Sequence, residues 1–505
     1  MREVLSPQLT LTETDIGAIR ISLKSRDDIP KLLLGLQHIY THPQIRDAVF
    51  EILKEVVPNK VDGKGKARVS LGRPGMDQWR IFVLGSLRLC LNVDYDRLVE
   101  LANYHVTIRQ MMGHPGQMDE LDPTEYTLQA VKDNLRLFTP EILSRINEVV
   151  VRAGHELVKK KDSRRFSGKL NTRVDSFVVE TDVHYPTDVN LLLDAIRKIV
   201  TMCGRISAAR GWSEWRQYQH NARAFKRQCR KISKLKRSGA RDEARREAKN
   251  EEIQAANRDY LEEAQSYLQR ARETRAKLEK EAKSDLMVAV ELTELDRFMH
   301  HAERQIDQVR RRVLEGKIIP HDEKMFSIFE EHTEWISKGK AGVPVELGLK
   351  VAVVEDQYRF ILNHRVLEKT EDVETAVPLI EETQKKYGAL DSASFDKGFH
   401  GVDNQTKLEK IVKLLVMPKK GKSSAEDLER QSDPQWIHWR KKHAAVESAI
   451  NALEHHGLDR CLDHGIAGFK RYVALAVLAR NVLRLGQIIH RHEADRKRAP
   501  DKQAA

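Results

Sequence analysis

The chain has 505 residues, which is enough for several domains and a sizeable hydrophobic core. Its 87 lysines and arginines outnumber 75 aspartates and glutamates, and the net charge of +12 favours an anionic partner, most often nucleic acid, over a merely solubilising excess. We find no apolar run near the ~20 residues that span a bilayer, no signal-peptide core and no cysteine spacing typical of zinc sites, so we expect a soluble, cytoplasmic, nucleoid-associated protein that does not bind membranes.

Apolar positions at helical spacing predict an all-helical N-terminal domain, residues 1–165. A helix is expected at 44–57, and a Gly- and Lys-rich loop separates it from a strongly apolar helix that runs from Met76 to Cys90. Residues 92–113 predict two more helices with a short turn between them at 103–105.

The helix pair at 92–113 has two interpretations. It fits an ordinary helical hairpin in a bundle. It also fits a helix-turn-helix, whose second helix would present Thr107, Arg109 and Gln110 to a DNA groove. The pattern has no sharp signature, so both interpretations stay open; in the second, Arg109 is a DNA contact and 1–165 is a DNA-binding domain.

The apolar pattern changes period at residues 174–181, VDSFVVET, which predict a strand. A helix follows over 186–200, with Thr187 as its N-cap. We assign residues 170–205 to the first part of a mixed α/β core.

A strongly basic run follows at residues 216–237. It carries nine lysines and arginines and no acid, and Tyr218 and Phe225 are interleaved with them. Charged runs are usually solvated helix faces, but a run without compensating acids fits phosphate contact better. The candidate DNA contacts in this run are Arg223, Lys226, Arg227, Arg230 and Lys231.

Two heptad tracks follow the basic run. Apolar residues recur at spacings of three and four from Ile253 to Leu278, with Asn257 in register, and again from Val288 to Val313. A charged segment between the tracks predicts a turn, so two helices, each about 40 Å long at 1.5 Å per residue, should form an antiparallel coiled-coil hairpin. The basic run and the hairpin together make an insertion, residues 206–320.

Beyond the insertion, residues 321–487 predict the second part of the core, and 488–505 a polar, basic tail. Without the insertion the order of elements is β, ββ, α, β, β, α, which indicates a mixed α/β fold. The predicted strands are 325–329, an antiparallel pair within 345–366, 390–395 and 410–418; the predicted helices are 373–387, 436–456 and 466–485.

Three acids stand where a metal site could form. Asp175 lies in the first strand, Asp396 follows a later strand, and Glu447 lies in a helix with a buried opposite face. This is the arrangement of an RNase H-like nuclease core. Asp182 is the alternative first acid; it is seven residues from Asp175, so the two would face opposite sides of one continuous strand. Asp188 is expected to support a helix N-terminus, and Glu180 to be solvated.

The acids lie in three blocks, VDSFVVETDVHYPTDVNLLLDAIR, SFDKGFHG and HAAVESAINALEHHGLDRCLDHGIAGFKRYVALAVLARNVLRLG. These blocks resemble those of bacterial insertion-sequence transposases of the DDE type, nearest to the group filed as "not classified yet" (ISNCY). The stretch GRPGMDQWRIFVLGSLRLC resembles part of the N-terminal domain common in these transposases. The resemblance covers most of the chain outside the insertion.

The resemblance implies an enzyme that binds the terminal inverted repeats of its element in double-stranded DNA, cuts the strands and joins them to target DNA. Synapsis of two DNA ends favours a homodimer or a larger assembly. Residue by residue, Asp175 before Ser176 matches the first acid of the family, Asp396 in DKGF the second, and Glu447 in HxxVE the third. These three acids would bind two Mg²⁺ ions, for which Mn²⁺ can substitute, because hard oxygen ligands suit both ions.

Three further residues near the acids are candidate DNA contacts: Lys397, Arg440 and His443. Many relatives place Tyr, Arg and Lys around the final Glu. Here Arg440 and His443 stand at the upstream positions, and Glu454 takes the place of the lysine. An acid there would repel phosphate, so the sequence does not predict a flipped-base clamp of that kind.

Three alternatives to a transposase remain at this stage. A nuclease that cuts without joining would use the same acids, because one site serves both reactions. A domesticated DNA-binding regulator would keep the basic surface, although the presence of all three acids argues against it. A coiled-coil scaffold would explain the hairpin and leave the acids without a role.

Overall fold

The structure, a computed structural model, is mixed α/β and mostly helical, with a mixed β-sheet. The chain divides into two compact units, the first formed by residues 1–182 and 342–505 and the second by residues 183–341. The loop predicted at 59–75, apart from Gly75, and the end of the predicted tail lie outside the described residues, which are 4–5, 14–22, 24–56, 75–116, 123–161, 168–237, 242–281, 285–337 and 344–498.

The N-terminal part of the first unit is helical, as predicted. Residues 92–113 form two helices around a turn at His105, but the second has only six residues, and Ile108 and Arg109 in it are buried. The helices are α1 (Asp28–Thr41), α2 (Pro43–Leu53), α3 (Gln78–Cys90), α4 (Tyr95–Tyr104), α5 (Val106–Met111), α6 (Leu128–Leu135) and α7 (Pro140–Lys161), and the first strand, β1 (Asn171–Thr181), follows them.

The second unit contains α8 (Asp188–Ala209), α9 (Tyr218–Arg237), α10 (Glu243–Glu281), α11 (Leu286–Val309), a π-helical turn at Arg310–Leu314 and a short strand, β2 (Glu334–Ser337). The Thr187 hydroxyl caps α8 by accepting from the backbone N–H of Asn190 at 3.2 Å, as predicted. The strand predicted at 325–329 is wrong, because these residues form turns and irregular structure.

The heptad tracks form the buried sides of α10 and α11, as the sequence predicts. Tyr260, Ala264 and Leu278 on α10 and Leu295 and Ala302 on α11 are almost completely buried. Their core also includes apolar residues of α8 and α9, so the hairpin is half of a helical bundle. The helix α8, predicted to belong with the first strand, therefore packs with the insertion instead.

The first unit then resumes. The predicted helix at 436–456 is interrupted at Ala444, and only the middle of the segment 410–418 is a strand. The elements are β3 (Val345–Asp356), β4 (Ile361–Leu367), α12 (Asp372–Tyr387), β5 (Ser392–Phe395), α13 (Val402–Ile411), β6 (Leu414–Val416), α14 (Ala425–Ser432), α15 (Pro434–His443), α16 (Ala445–Leu453), a π-helical turn at Glu454–Leu458, β7 (Arg460–Cys461) and α17 (Gly465–Arg498).

The sheet of the first unit has the spatial order β4–β3–β1–β5–β6. The strands β3 and β1 are antiparallel, whereas β1, β5 and β6 are mutually parallel, and β7 pairs with the end of β1. Side chains alternate between the two faces of β1. Phe177 and Val179 bury one face against the N-terminal helices, α16 and α17, whereas Val174 on the other face packs with α12 and α13.

The N-terminal helices share one core with the sheet and α17. The helix α17 is long and apolar enough to cross a membrane by length and composition, but 89% of its most apolar 18-residue stretch is buried inside the protein. That burial is typical of the core helix of a soluble protein. Residues 1–165 therefore do not have a core separate from that of the sheet, because α17 buries its apolar surface against them.

Helices α1 and α17 approach each other closely at two glycines. A Cβ added to Gly486 would lie 1.7 Å from the backbone oxygen of Lys31, and one added to Gly35 would lie 2.2 Å from that of Val482. Both neighbours are main-chain atoms, so relief requires the helices to move apart.

We expect Gly486→Ala to destabilise the protein by about 3 kcal/mol, at the upper end of the usual cost of overpacking a core. Urea unfolding followed by circular dichroism measures the change. Gly468→Ala, on the same helix, is the matched control, because its Cβ would meet its nearest neighbour at an ordinary 3.4 Å. Equal effects of the two substitutions would contradict the close helix crossing.

Candidate active site

The register of two parallel strands brings Asp175 and Asp396 side by side. Val174 of β1 pairs with Phe395, the last residue of β5; Asp175 is the next residue of β1, and Asp396 is the residue that follows β5. Neighbouring strands lie about 4.8 Å apart. Two acids separated by 221 residues in the sequence therefore become neighbours at one point of the sheet.

The third acid, Glu447, is brought to the same face of the sheet by α16. Asp175 shares its face of β1 with Phe177 and Val179, because side chains alternate along a strand. Ala449 and Leu453 of α16 lie in the same buried cluster as those two residues. Glu447 is in the first turn of α16 and is exposed.

Two residues at the end of α15 attach this helix to the strand that carries Asp396. The guanidinium of Arg440 donates to the backbone oxygen of Phe395 at 3.1 Å. The Ser394 hydroxyl donates to the backbone oxygen of Thr172 at 3.2 Å, which leaves the His443 Nδ1–H to donate to the Ser394 oxygen at 3.1 Å. These bonds fix the chain on both sides of the site, immediately before Asp396 and a few residues before Glu447.

The pKa of Asp175 is affected by the charges of the neighbouring acids. Burial and, to a smaller extent, the negative charges of Asp396, Asp372 and Glu447 together raise the pKa of Asp175 to about 6, against a 2.8 Å hydrogen bond from the Ser176 backbone N–H that lowers it. The three acids singled out from the sequence thus lie within electrostatic reach of one another.

The acids nevertheless do not form a metal-coordinating arrangement as the side chains are placed. In the part of the chain that the structure describes, no group of three or more His, Cys, Asp or Glu side chains could hold a metal ion as placed. Asp396 and Glu447 are exposed, and neither carboxylate has an ion-pair or hydrogen-bond partner among the described residues. Both are therefore free to turn toward a cation.

A fourth acid near the site, Asp372, was not predicted from the sequence. It is the first residue of α12, it forms an ion pair with the Lys350 ammonium at 3.2 Å, and its charge contributes to the raised pKa of Asp175. It also lies against the turn after Asp396, 3.5 Å from where a Cβ of Gly398 would be. Acids are common in the first turn of helices, so nothing in the sequence distinguishes Asp372 from an ordinary helix-start residue.

The rival first acid, Asp182, lies beyond the end of β1. It is exposed, and its carboxylate is 3.7 Å from the guanidinium of Arg460, which also pairs with Glu180 at 3.1 Å. Asp182 is not among the charges that contribute most to the pKa shift of Asp175. In the second unit, Asp188 forms an ion pair with Arg312 at 3.0 Å in the first turn of α8.

Two predicted DNA contacts, Arg109 and His443, face the protein interior instead, and a third, Arg440, is half-buried. Arg109 is completely buried, and its guanidinium donates to the backbone oxygen of Thr124 at 3.1 Å. Burial lowers the pKa of His443 to about 4, so its imidazole is neutral at physiological pH and does not attract phosphate. Arg440 is half-buried, and its guanidinium donates a hydrogen bond to the backbone oxygen of Phe395. Lys397, in contrast, is exposed beside Asp396.

The basic run forms the exposed face of α9. Phe225, Cys229 and Ile232 bury one side of this helix. At 100° per residue the cations on the other side fall within about a third of its circumference, and in the described chain none of them pairs with a carboxylate. These residues, called the α9 cationic face below, are Arg223, Arg227, Arg230, Lys231, Lys234 and Arg237, whereas Lys226 is half-buried at the flank.

Comparison of the chain with protein-family models, with curated proteins and with solved structures finds no match.

The raised pKa of Asp175 predicts a stability difference that depends on pH. Between pH 4 and 6 the folded protein holds a proton that the unfolded chain releases, so stability falls as the pH rises through this window and levels off above it. We expect Asp175→Asn, which carries no charge, to be about 3 kcal/mol more stable than wild type at pH 8 but only about 0.6 kcal/mol more stable at pH 4.

Denaturant unfolding in chelator-containing buffer at the two pH values measures this difference. Asp182→Asn serves as the control, because Asp182 is exposed, and it should match wild type at both pH values. A stabilisation by Asp175→Asn that is the same at pH 4 and pH 8 would contradict the raised pKa of Asp175.

Proposed function

We propose that the protein is a DDE-type DNA transposase that binds the terminal inverted repeats of an insertion sequence and catalyses metal-dependent strand cleavage and strand transfer. The observation that carries this proposal is the convergence of Asp175, Asp396 and Glu447 from a strand, a strand end and a late helix. Their charges act on one another, and two of them are exposed and unpaired in the described structure.

The arrangement of strands supports an RNase H-like core. Leaving out the short strands β2 and β7, the spatial order β4–β3–β1–β5–β6 is third, second, first, fourth, fifth in chain order, with β3 antiparallel to β1. The first acid lies on the central first strand and the second at the end of the fourth. This is the placement that the resemblance to DDE transposases implies.

The chemistry of the acids fits hard divalent cations, Mg²⁺ or Mn²⁺. Carboxylate oxygens without a competing histidine or cysteine suit these ions better than zinc. The pKa of Asp175 is raised by burial and by repulsion from the neighbouring acids, and a bound cation would offset that repulsion. When bound, two such ions would supply charge neutralisation for phosphodiester cleavage and transfer.

The residues around the acids have separate roles in this proposal. Asp175, Asp396 and Glu447 would hold the cations. Lys397, exposed beside Asp396, would contact the phosphate next to the scissile bond. Arg440 and His443 are positioning residues, because their hydrogen bonds fix the end of β5 and the start of α16 relative to each other.

The partner in this proposal is double-stranded DNA, both the ends of the element and its target. The α9 cationic face runs along a helix about 30 Å in length, at 1.5 Å for each of its 20 residues. Exposed cations without carboxylate partners favour contact with the phosphate backbone. Cutting and joining two ends together favours a homodimer or a larger complex on DNA.

A supercoiled plasmid that carries the reading frame with its native flanking DNA tests the function. The purified protein is incubated with this plasmid and Mg²⁺, and the products are sequenced. Joined products with the flanks inserted in new positions are expected. Nicks or double-strand breaks alone would indicate a nuclease, and a mobility shift without cleavage would indicate a DNA-binding regulator.

A further inference from the structure

The second unit contains a pocket of about 380 Å³ that the proposed chemistry does not use. Four aromatic rings line it, those of Tyr185, Phe326 and Trp335 and the imidazole of His321. The ring centres of Phe326 and Trp335 are 5.6 Å apart, and those of Tyr185 and Trp335 are 5.7 Å apart. Tyr185 is 63% exposed, although an aromatic ring gains from burial. The pocket thus offers flat apolar surfaces that protein side chains do not fill.

Cations line the same pocket. Lys236, Arg312 and Lys324 contribute to its wall, and Asp188 is the acid that lines it among the described residues. The Asp188 carboxylate is already paired with the Arg312 guanidinium at 3.0 Å. The pocket therefore has an excess of positive charge next to its aromatic surfaces, and a ligand that complements it must combine a planar ring with an anionic group.

The pocket lies at the C-terminal end of α9. Lys236 is in the last turn of α9 and lines the pocket, but at about 100° per residue it lies on the side of the helix away from the α9 cationic face. Lys234 and Arg237 of that face are in the same turn, so a nucleic-acid strand that contacts them would reach the pocket by crossing the end of the helix. Bases paired in a duplex are stacked and cannot enter, so only an unpaired nucleotide could do so.

We propose that this pocket binds one unstacked nucleotide of a DNA strand, with its base against Trp335 and Phe326 and its phosphate near Lys236 and Lys324. The inference rests on the proposed DNA-binding function but not on cleavage by the acids. The aromatic surface explains why such a site would accept any base, because every base has a stacking face. It gives the second unit a role in holding the distorted end of a DNA substrate.

Binding of a single-stranded oligothymidine of about ten nucleotides to the full-length protein, measured by fluorescence anisotropy, tests the proposal. We expect Trp335→Ala to weaken this binding roughly fivefold to 150-fold, the range given by loss of one base–aromatic stack. Trp335→Phe should retain most of the affinity. Blunt duplex DNA, which offers no unpaired base, should bind wild type and Trp335→Ala equally.

The matched control is Trp212→Ala in the same unit. Trp212 is half-buried against Arg210 and Lys277 and does not line the pocket, so its loss should leave oligothymidine binding unchanged. If Trp335→Ala does not fold, Lys324→Gln tests the same pocket and should weaken the oligonucleotide severalfold.

Three results separate the possibilities. Unchanged oligothymidine affinity in both the Trp335→Ala and the Lys324→Gln variants would overturn the pocket assignment. Competition by free thymidine monophosphate at the concentrations at which the oligonucleotide binds would also overturn it, because the site would then serve a free nucleotide. Trp335-dependent strand binding by a protein that neither cuts nor joins plasmid DNA would uphold the pocket and refute the transposase proposal.

Discussion

Asp396→Asn is expected to lower Mg²⁺-dependent cleavage of the plasmid by roughly 10³-fold or more while leaving DNA binding within about twofold of wild type. The substitution keeps the size of the side chain and removes its charge. Asp396 is exposed and has no partner among the described residues, so the fold does not depend on it. Cleavage is followed on agarose gels, and binding by mobility shift with the same DNA.

Asp182→Asn is the matched control for this experiment. It removes an exposed carboxylate that pairs with Arg460 at the far end of β1 and should leave cleavage intact. Normal cleavage by Asp396→Asn would show that the acids are not the catalytic site. Loss of cleavage in Asp182→Asn with normal activity in Asp175→Asn would instead make Asp182 the first acid.

Neutralising the α9 cationic face should change how DNA binding depends on salt. We expect the quintuple replacement of Arg223, Arg227, Arg230, Lys231 and Lys234 by glutamine to make the slope of log K against log salt shallower by up to about 4.5, because each phosphate that is no longer neutralised changes it by about 0.9. Duplex binding is measured between low and physiological salt. The buried side of α9 is untouched, so the unit should remain folded.

A control with the same change in net charge separates direct phosphate binding from long-range attraction. Lys54, Arg136, Arg145, Arg152 and Arg272 are exposed, and each lies within ion-pair distance of a carboxylate. Their replacement by glutamine should leave the slope close to that of wild type. The same slope in both quintuple variants would remove α9 from the DNA interface.

Much of the second unit could be predicted from the sequence, because its signals are local. The spacing of Tyr260, Ala264 and Leu278 defines one side of α10 without reference to any other segment, and Thr187 caps the helix that it precedes. The sequence did not reveal that α8 packs with the hairpin, because the apolar side of a helix shows that it is covered but not by which partner.

The candidate site also has a part that local motifs predict and a part that only the tertiary structure shows. Asp175, Asp396 and Glu447 could be selected from their motifs, and the sheet then made Asp175 and Asp396 neighbours through pairing of Val174 with Phe395. Strand register across 221 residues is set by the packing of the whole unit and leaves no trace in the local pattern. Asp372 was missed for a different reason, because acids are common in the first turn of helices and its position in α12 did not distinguish it.

Three basic residues show most clearly that residue type does not predict whether a side chain reaches solvent. By residue type, three residues were predicted to contact DNA: Arg109, Arg440 and His443. Arg109 and His443 are buried, and all three make hydrogen bonds within the protein, to the main chain or to Ser394. Residue type by itself determined that the chain is basic, largely helical and equipped with three well-placed acids. Tertiary structure alone decided which cations reach solvent, because exposure depends on what covers each face of an element and not on the element itself.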